Sequence, residues 1–158
     1  MKLDANFIWG VACSAYQTEG AENEDGRGES IWDSKFTKGK TLGDMNGKIA
    51  CDHYHRYKED VALLKELGIK NYRFSISWTR IFPSGTGEVN LKGIDFYKDL
   101  VNRLIAADIT PWVTLFHWDL PRNLYEKGGY LNREISDWFA KYAAKVVEIF
   151  GDKVTDYI

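Results

Sequence analysis

Cysteine is scarce in this chain, and its scarcity excludes two kinds of architecture. The 158 residues contain only Cys13 and Cys51, too few for a disulfide scaffold or a cysteine-based zinc cluster. His53 and His55 lie close together, but no further histidine or cysteine stands at a ligand spacing from them, so we expect no metal site. A dinucleotide-binding fingerprint and a Walker-type loop are also missing, and we expect no cofactor.

An excess of basic charge is missing as well. The chain has 21 Lys and Arg against 23 Asp and Glu, a net charge of −2, so nucleic acid is not an expected partner. No apolar run approaches the roughly 18 residues of a membrane helix, and residues 1–6 contain no apolar core of a secretory signal. With so few cysteines, the sequence predicts a cytoplasmic protein that does not enter a membrane.

Aromatic residues, in contrast, are abundant. Six Trp, nine Tyr and eight Phe make up 15% of the chain. Such residues can form a core, or they can form a surface that stacks on flat ligand faces such as sugar rings. Composition does not choose between these roles. The length fits one domain spanning residues 1–158, without an internal boundary.

Short β-like runs alternate with longer helical ones, which is typical of βα units on a parallel sheet. We predict strands over residues 7–12, 71–77, 110–116 and 154–158, a loop over 19–47, and helices over 52–67, 93–107 and 133–150. Asn90 and Asn132 are the predicted N-caps, and Gly68 and Gly151 end helices. A doubly wound sheet usually has a glycine fingerprint after its first strand, and this chain has none. The favoured fold is therefore a (β/α)8 TIM barrel, of which the chain supplies about three βα units and the start of strand four.

In such a barrel the active site lies at the carboxyl ends of the strands. Gln17 follows the first strand, Arg73 lies within the second, and His117 and Trp118 follow the third. Amide, guanidinium and imidazole groups hydrogen-bond hydroxyls, and an indole packs on a sugar ring, so this set suits a hydroxyl-rich ligand. Each residue also has a structural interpretation: a loop glutamine, a paired arginine, a hydrogen-bonded histidine and a packing tryptophan. The pattern alone leaves both open.

Seven segments together carry a resemblance to a known family. The sequence resembles family-one glycoside hydrolases, the β-glucosidase family, in order and at fitting intervals along the whole chain. The segments are residues 7–20 (FIWGVACSAYQTEG), 30–33 (SIWD), 51–57 (CDHYHRY), 72–78 (YRFSISW), 114–121 (TLFHWDLP), 128–133 (GGYLNR) and 150–154 (FGDKV). The resemblance implies a barrel that hydrolyses β-glycosides with retention, using two glutamates.

The same resemblance implies roles for the four candidates. Gln17 is similar to the family's glycone-binding glutamine, His117 to the histidine that binds a neighbouring hydroxyl, and Trp118 to an indole donor in that region. Arg73 is similar to the arginine that keeps the nucleophilic glutamate ionised. Phospho-β-glucosidases of the family commonly have phenylalanine at the Trp118 position, which favours an unphosphorylated glucoside or galactoside here. Smaller departures from the family pattern, at Cys13, Thr79, Asp108 and Tyr130, remove no binding group.

The larger departure concerns the catalytic groups. In the family the fourth strand leads into Thr-x-Asn-Glu-Pro, which contains the acid/base glutamate, and the nucleophile lies on a much later strand. Neither is present in the 158 residues. We therefore expect part of a glycone site in an otherwise inactive chain, which would act with a complementary carboxy-terminal barrel fragment or by self-association. The alternative is a non-catalytic scaffold or sugar-binding module.

Overall fold

The structure is a computed structural model, and it describes residues 3, 4, 6–33, 39 and 46–158. Its strands are β1 (Val11–Ala12), β2 (Asn71–Ser75), β3 (Thr110–Thr114) and β4 (Asp156–Tyr157). The α-helices are α1 (Ala15–Thr18), α2 (His53–Glu66), α3 (Trp78–Ile81), α4 (Leu91–Ala106), α5 (Arg122–Glu126) and α6 (Ile135–Phe150). Short 3-10 helices occupy Gly129–Leu131 and Gly151–Lys153.

The four strands form one sheet in which all neighbours are parallel. Their order across the sheet is β1-β2-β3-β4, the same as their order along the chain. A doubly wound sheet reverses its strand order at a switch point, whereas the strands of a barrel follow one another in sequence. The observed order is that of the amino-terminal part of a (β/α)8 barrel, as predicted.

Side chains of the sheet alternate between two faces. Tyr72 of β2 is buried in the hydrophobic core, and the next residue, Arg73, points to the opposite face. The strand register places Ala12, Arg73, Trp112 and Asp156 in one row across all four strands. In a closed barrel this row faces the interior, since the helices cover the other face.

The core lies between the sheet and the helices that follow its strands. Trp78 of α3 is fully buried, and its ring stacks on that of Tyr142 of α6 with centroids 4.5 Å apart. The Tyr142 hydroxyl in turn donates to the Leu115 carbonyl oxygen (2.7 Å) just after β3. This contact fixes the last helix against the strand ends. Other core residues are Phe74, Ile76, Tyr97, Leu100, Val101, Leu104, Val113 and Val146.

The predicted helix ends are confirmed at two glycines and at Asn90, whereas the predicted N-cap at Asn132 is wrong. Gly68, which follows the C-cap residue of α2, and Gly151, which directly follows α6, have positive φ values of 72° and 54°, a conformation that glycine adopts without strain. Asn90 is the N-cap residue of α4, but its side-chain amide donates to the carbonyls of Asp25 and Arg80 instead of accepting from the helix.

At the other asparagine the helix starts later than predicted. The Asn132 side chain accepts the amide of residue 134 (3.0 Å), which forms a turn before the helix. For this reason α6 begins at residue 135 and not at 133. The strands are also shorter than predicted. β1 starts at residue 11, and β2 and β3 each end two residues early, because the chain turns into α3 after Ser75 and bends after Thr114.

From the sequence we expect neither a metal site nor a membrane helix, and we expect a long loop. Within the described ranges no cluster of three His, Cys, Asp or Glu side chains could hold a metal ion. His53 contacts Asp60 (2.6 Å), and His55 contacts Asp52 and Glu24. No helix in the part of the chain that the structure describes has the length and apolar character to span a bilayer. In the predicted loop, residues 34–38 and 40–45 lie outside the described residues.

Candidate functional site

Gln17 lies on α1, a single helical turn that follows β1. Its side chain is exposed. The Ala15 amide, two residues earlier, donates to the Ser75 hydroxyl at the end of β2 (2.8 Å), and the Thr18 hydroxyl donates to the Ser14 carbonyl (2.9 Å). The first bond attaches the turn to the end of the neighbouring strand and the second closes the turn itself, so Gln17 is presented at the carboxyl edge of the sheet.

A buried ion pair holds the next part of this turn. Glu19 accepts a bond from Arg80 Nε (3.0 Å) and another from the Tyr97 hydroxyl (2.5 Å), and Glu19 and Arg80 are 4% and 0% exposed. The Arg80 guanidinium also lies 4.1 Å from the centroid of the Tyr54 ring. Burial, followed by the nearby Glu19 charge, raises the pKa of Tyr97 well above its usual range. Both oxygens of Glu19 are therefore occupied by structural partners.

His117 and Trp118 lie in a tight turn after β3. Trp118 has φ = 74°, a left-handed conformation that is strained for a residue with a large side chain. The carbonyl oxygen of Trp118 accepts a bond from Trp32 Nε1 (2.7 Å), and the Trp118 side chain is 71% exposed. His117 is half-buried. A hydrogen bond to its backbone therefore holds this turn, while the Trp118 indole faces solvent.

Asp119 completes this turn and is buried. Its side chain is 1% exposed, and neither carboxyl oxygen makes a hydrogen bond of ordinary geometry within the described residues. Burial raises the pKa of Asp119 to about 6, and the amides of Asp119 and His117 and the charge of Arg27 oppose this rise without cancelling it. An acid in this environment takes up a proton more readily than an exposed one.

The structure brings three of the four predicted residues into one cleft. An open cleft of about 350 Å³ is lined by Gln17, His117 and Trp118, together with Ser14, Tyr16 and Trp32. The side chains offer an amide, an imidazole, hydroxyls and indole faces, which are the groups that contact the hydroxyls and the ring of a sugar. None of these six lining residues carries a carboxylate.

Arg73, the fourth predicted residue, lies elsewhere. It lines a second cleft of about 320 Å³ on the uncovered face of the sheet, with Ala12, Asn71 and Trp112 among its neighbours. Its Nε donates to the Thr114 hydroxyl (2.9 Å). No carboxylate within the described residues is at ion-pair distance from Arg73, so its anionic partner stays a prediction.

Several residues that shape the site were not predicted. Arg80 and Tyr97 anchor the turn of Gln17, and Trp32 reaches the turn of His117. A third, apolar cleft of about 570 Å³ adjoins the first, since Trp32 and Trp118 line both. Of these residues only Trp32 lies within a quoted motif segment (30–33), whereas Arg80 and Tyr97 lie outside all of them and carried no sequence signal.

The comparisons with known proteins give the class of the chain. The family model "Glycosyl hydrolase family 1" matches residues 1–158. The chain therefore belongs to glycosyl hydrolase family 1, in agreement with the resemblance found in its sequence.

Particular relatives show how much of such a protein is present. Beta-glucosidase A of Acetivibrio thermocellus is 56% identical over 150 residues, which cover 94% of this chain and 34% of that protein. The aryl-phospho-beta-D-glucosidase BglC of Bacillus subtilis is 51% identical over 156 residues, which cover 97% of this chain and 32% of that protein. The chain thus spans about a third of the length of these curated relatives.

The solved structures agree with this picture. The family 1 β-glucosidase of Thermotoga maritima superposes with a TM-score of 0.95 at 51% identity, and the match covers 99% of this chain and 36% of that one. The same enzyme has been solved in complex with deoxynojirimycin and with galacto-hydroximolactam. The fold predicted from the sequence, the amino-terminal part of a TIM barrel, is confirmed.

Proposed function

We propose that these 158 residues form the amino-terminal part of a retaining β-glycosidase that hydrolyses terminal β-D-glycosides. The observation that carries the proposal is the cleft that joins Gln17, His117 and Trp118 at the carboxyl edge of the sheet. The amide and imidazole groups would bind hydroxyls of the terminal sugar, and the indole would contact its ring region. In this proposal residues 1–158 hold the sugar and position it.

The reaction itself requires two carboxyl groups about 5–5.5 Å apart. The acidic residues near the cleft do not meet this need, because Glu19 is bonded to Arg80 and Asp119 is buried beneath its own turn. We infer that the acid/base and the nucleophile come from another part of the barrel, which would also close the sheet by pairing with β1 and β4. Arg73, on the interior face, would then keep the nucleophile ionised.

The test uses a completed barrel, a chimera of residues 1–158 with the carboxy-terminal two thirds of the Thermotoga maritima enzyme. Gln17→Ala or His117→Ala removes hydrogen bonds worth about 1.5–3 kcal/mol in the transition state, which corresponds to a roughly 10- to 200-fold fall in kcat/KM on an aryl β-glucoside. His55→Ala, which removes an exposed histidine of α2, is the matched control and should leave kcat/KM unchanged. An unchanged value for both site variants would contradict the proposed site.

The isolated chain provides the second arm of the test. Without a carboxylate pair it can neither protonate the leaving oxygen nor form the glycosyl intermediate, so we expect no release of nitrophenol from an aryl β-glucoside. Its open strand edges also favour association, which sedimentation would detect. Turnover by the purified chain that His117→Ala abolishes would overturn this part of the proposal.

A second candidate function is a non-catalytic sugar-binding module, which the lack of carboxylates in the cleft favours. The two functions differ in one measurement. Intact-mass analysis of the native material would show a second, larger polypeptide with an Asn-Glu-Pro motif for a split enzyme. A homogeneous 18.2 kDa species that binds sugar would support the module.

A further inference from the structure

Trp32 contacts both turns that carry the sugar-binding residues. The Tyr16 hydroxyl, one residue before Gln17, donates to the Trp32 carbonyl oxygen. The Trp32 indole Nε1 donates to the Trp118 carbonyl oxygen (2.7 Å), one residue after His117. One tryptophan therefore bridges two segments that are about a hundred positions apart in the sequence.

The segment that carries Trp32 is itself firmly held. Asp33, the next residue, forms an ion pair with Arg27 (3.1 Å) in which both side chains are buried, at 2% and 5% exposure. The preceding amide, that of Ile31, donates to the Leu120 carbonyl (2.9 Å) just after the His117 turn. Contacts on both sides of Trp32 therefore hold its backbone in place.

The hydrogen bond from Trp32 is accepted by Trp118, the residue of the His117 turn that has a left-handed backbone conformation. Trp118 has φ = 74°, and a side-chain-bearing residue keeps such a conformation only where its surroundings enforce it. The Nε1–H of Trp32 is a donor from outside the turn that fixes the Trp118 carbonyl. Loss of that donor would let the turn relax and would move His117, the residue before it.

We propose that Trp32 is a positioning residue of the sugar site, which sets the separation and orientation of Gln17 and His117 by linking the turns that carry them. This inference rests on the proposed function. We call the three residues Tyr16, Trp32 and Trp118 the tryptophan bridge. The bridge acts through two hydrogen bonds, from the Tyr16 hydroxyl to Trp32 and from the Trp32 indole to Trp118. Loss of these bonds would weaken sugar binding while the fold is kept.

The test is Trp32→Phe in the completed barrel, which keeps an aromatic ring and removes the indole donor. Loss of one hydrogen bond corresponds to a roughly 3- to 10-fold fall in kcat/KM on an aryl β-glucoside. Trp78→Phe is the matched control, because it also removes an indole N–H donor. The hydrogen bond lost there, from Trp78 Nε1 to the Gly85 carbonyl in the core, has a similar length (2.8 Å). This control should lower the melting temperature and leave kcat/KM unchanged.

A double-mutant cycle separates positioning from a general structural role. If Trp32 acts through the His117 turn, Trp32→Phe should have little further effect once His117 is alanine, so the two effects are not additive. Full additivity, or an unchanged kcat/KM for Trp32→Phe in a barrel where His117→Ala is damaging, would overturn the inference.

A measurement without turnover keeps this inference apart from the proposed function. The Trp32 indole N–H should exchange with solvent far more slowly than that of Trp9, whose side chain is 68% exposed. Equal exchange rates for the two indole N–H groups would refute the tryptophan bridge, independently of the activity of the completed barrel. If His117→Ala had no effect on activity, the proposed function would fail, whereas slow exchange of Trp32 together with a shifted Trp118 amide resonance in Trp32→Phe would still support the link between the two turns.

Discussion

The buried carboxyl of Asp119 makes the stability of the chain depend on pH in an unusual direction. Burial raises its pKa from the ordinary value of 3.8 to about 6. The folded state therefore holds a proton that the unfolded state has already released, and stability falls as pH rises through this range. Above pH 6 the folded chain must keep a buried carboxylate that the neighbouring amides and Arg27 stabilise only in part, which is unfavourable.

The magnitude follows from the gap between the two pKa values. Each pH unit of that gap corresponds to about 1.4 kcal/mol, so between pH 4 and pH 7 Asp119 lowers the free energy of unfolding by about 2–3 kcal/mol. Asp119→Asn removes the titrating group. We expect the stability of the variant, relative to the original chain, to rise by this amount between pH 4 and pH 7.

Urea unfolding at a constant protein concentration, followed by tryptophan fluorescence, measures this difference. Asp95→Asn removes an exposed carboxylate of α4 and is the control, which should keep the pH dependence of the original chain. Carbon-13 carboxyl NMR gives a direct check, since the resonance that Asp119→Asn removes should titrate near pH 6. A midpoint near 4, or an unchanged pH dependence in Asp119→Asn, would refute the reasoning.

Two further predictions concern arginines of the chain. Arg80→Met leaves the Glu19 charge buried without its partner and should cost about 3–5 kcal/mol of stability, which urea unfolding measures; a loss below 1 kcal/mol would show that the pair is not a main anchor of its turn. Arg73→Met in the completed barrel should raise the pKa of the nucleophilic carboxyl and shift the acidic limb of the kcat/KM profile to higher pH. An acidic limb that does not move would count against the proposed role of Arg73.

The fold was predictable because its signals are local and repeated. Apolar residues at helical spacing indicated α4 and α6, and the alternation of strands with helices indicated a parallel sheet. The short helices α1, α3 and α5 were missed because four or five residues are too few to show a helical period. They lie after β1, β2 and β3, where the chain turns away from the sheet.

The candidate site was predictable only in part, for a related reason. The ends of parallel strands meet at one edge, which was enough to bring Gln17 and His117 to a common cleft. The supporting contacts join distant positions: Glu19 with Arg80, and Trp32 with Trp118, are separated by 61 and 86 positions. No spacing rule links such pairs, because they depend on how loops fold over the finished sheet.

The short strand β1 has a consequence for the dynamics of the two turns. It joins the sheet through two residue pairs with β2, whereas β2 and β3 share five. The Gln17 turn is attached to this weak edge, and the His117 turn follows the firmly paired β3, so local opening should release Gln17 more often. A sugar that contacts both residues would stabilise the closed form, and the amide of Ala12 should then exchange more slowly with ligand bound. Sugar binding would therefore stabilise the pairing of β1 with β2, and this pairing would in turn strengthen sugar binding.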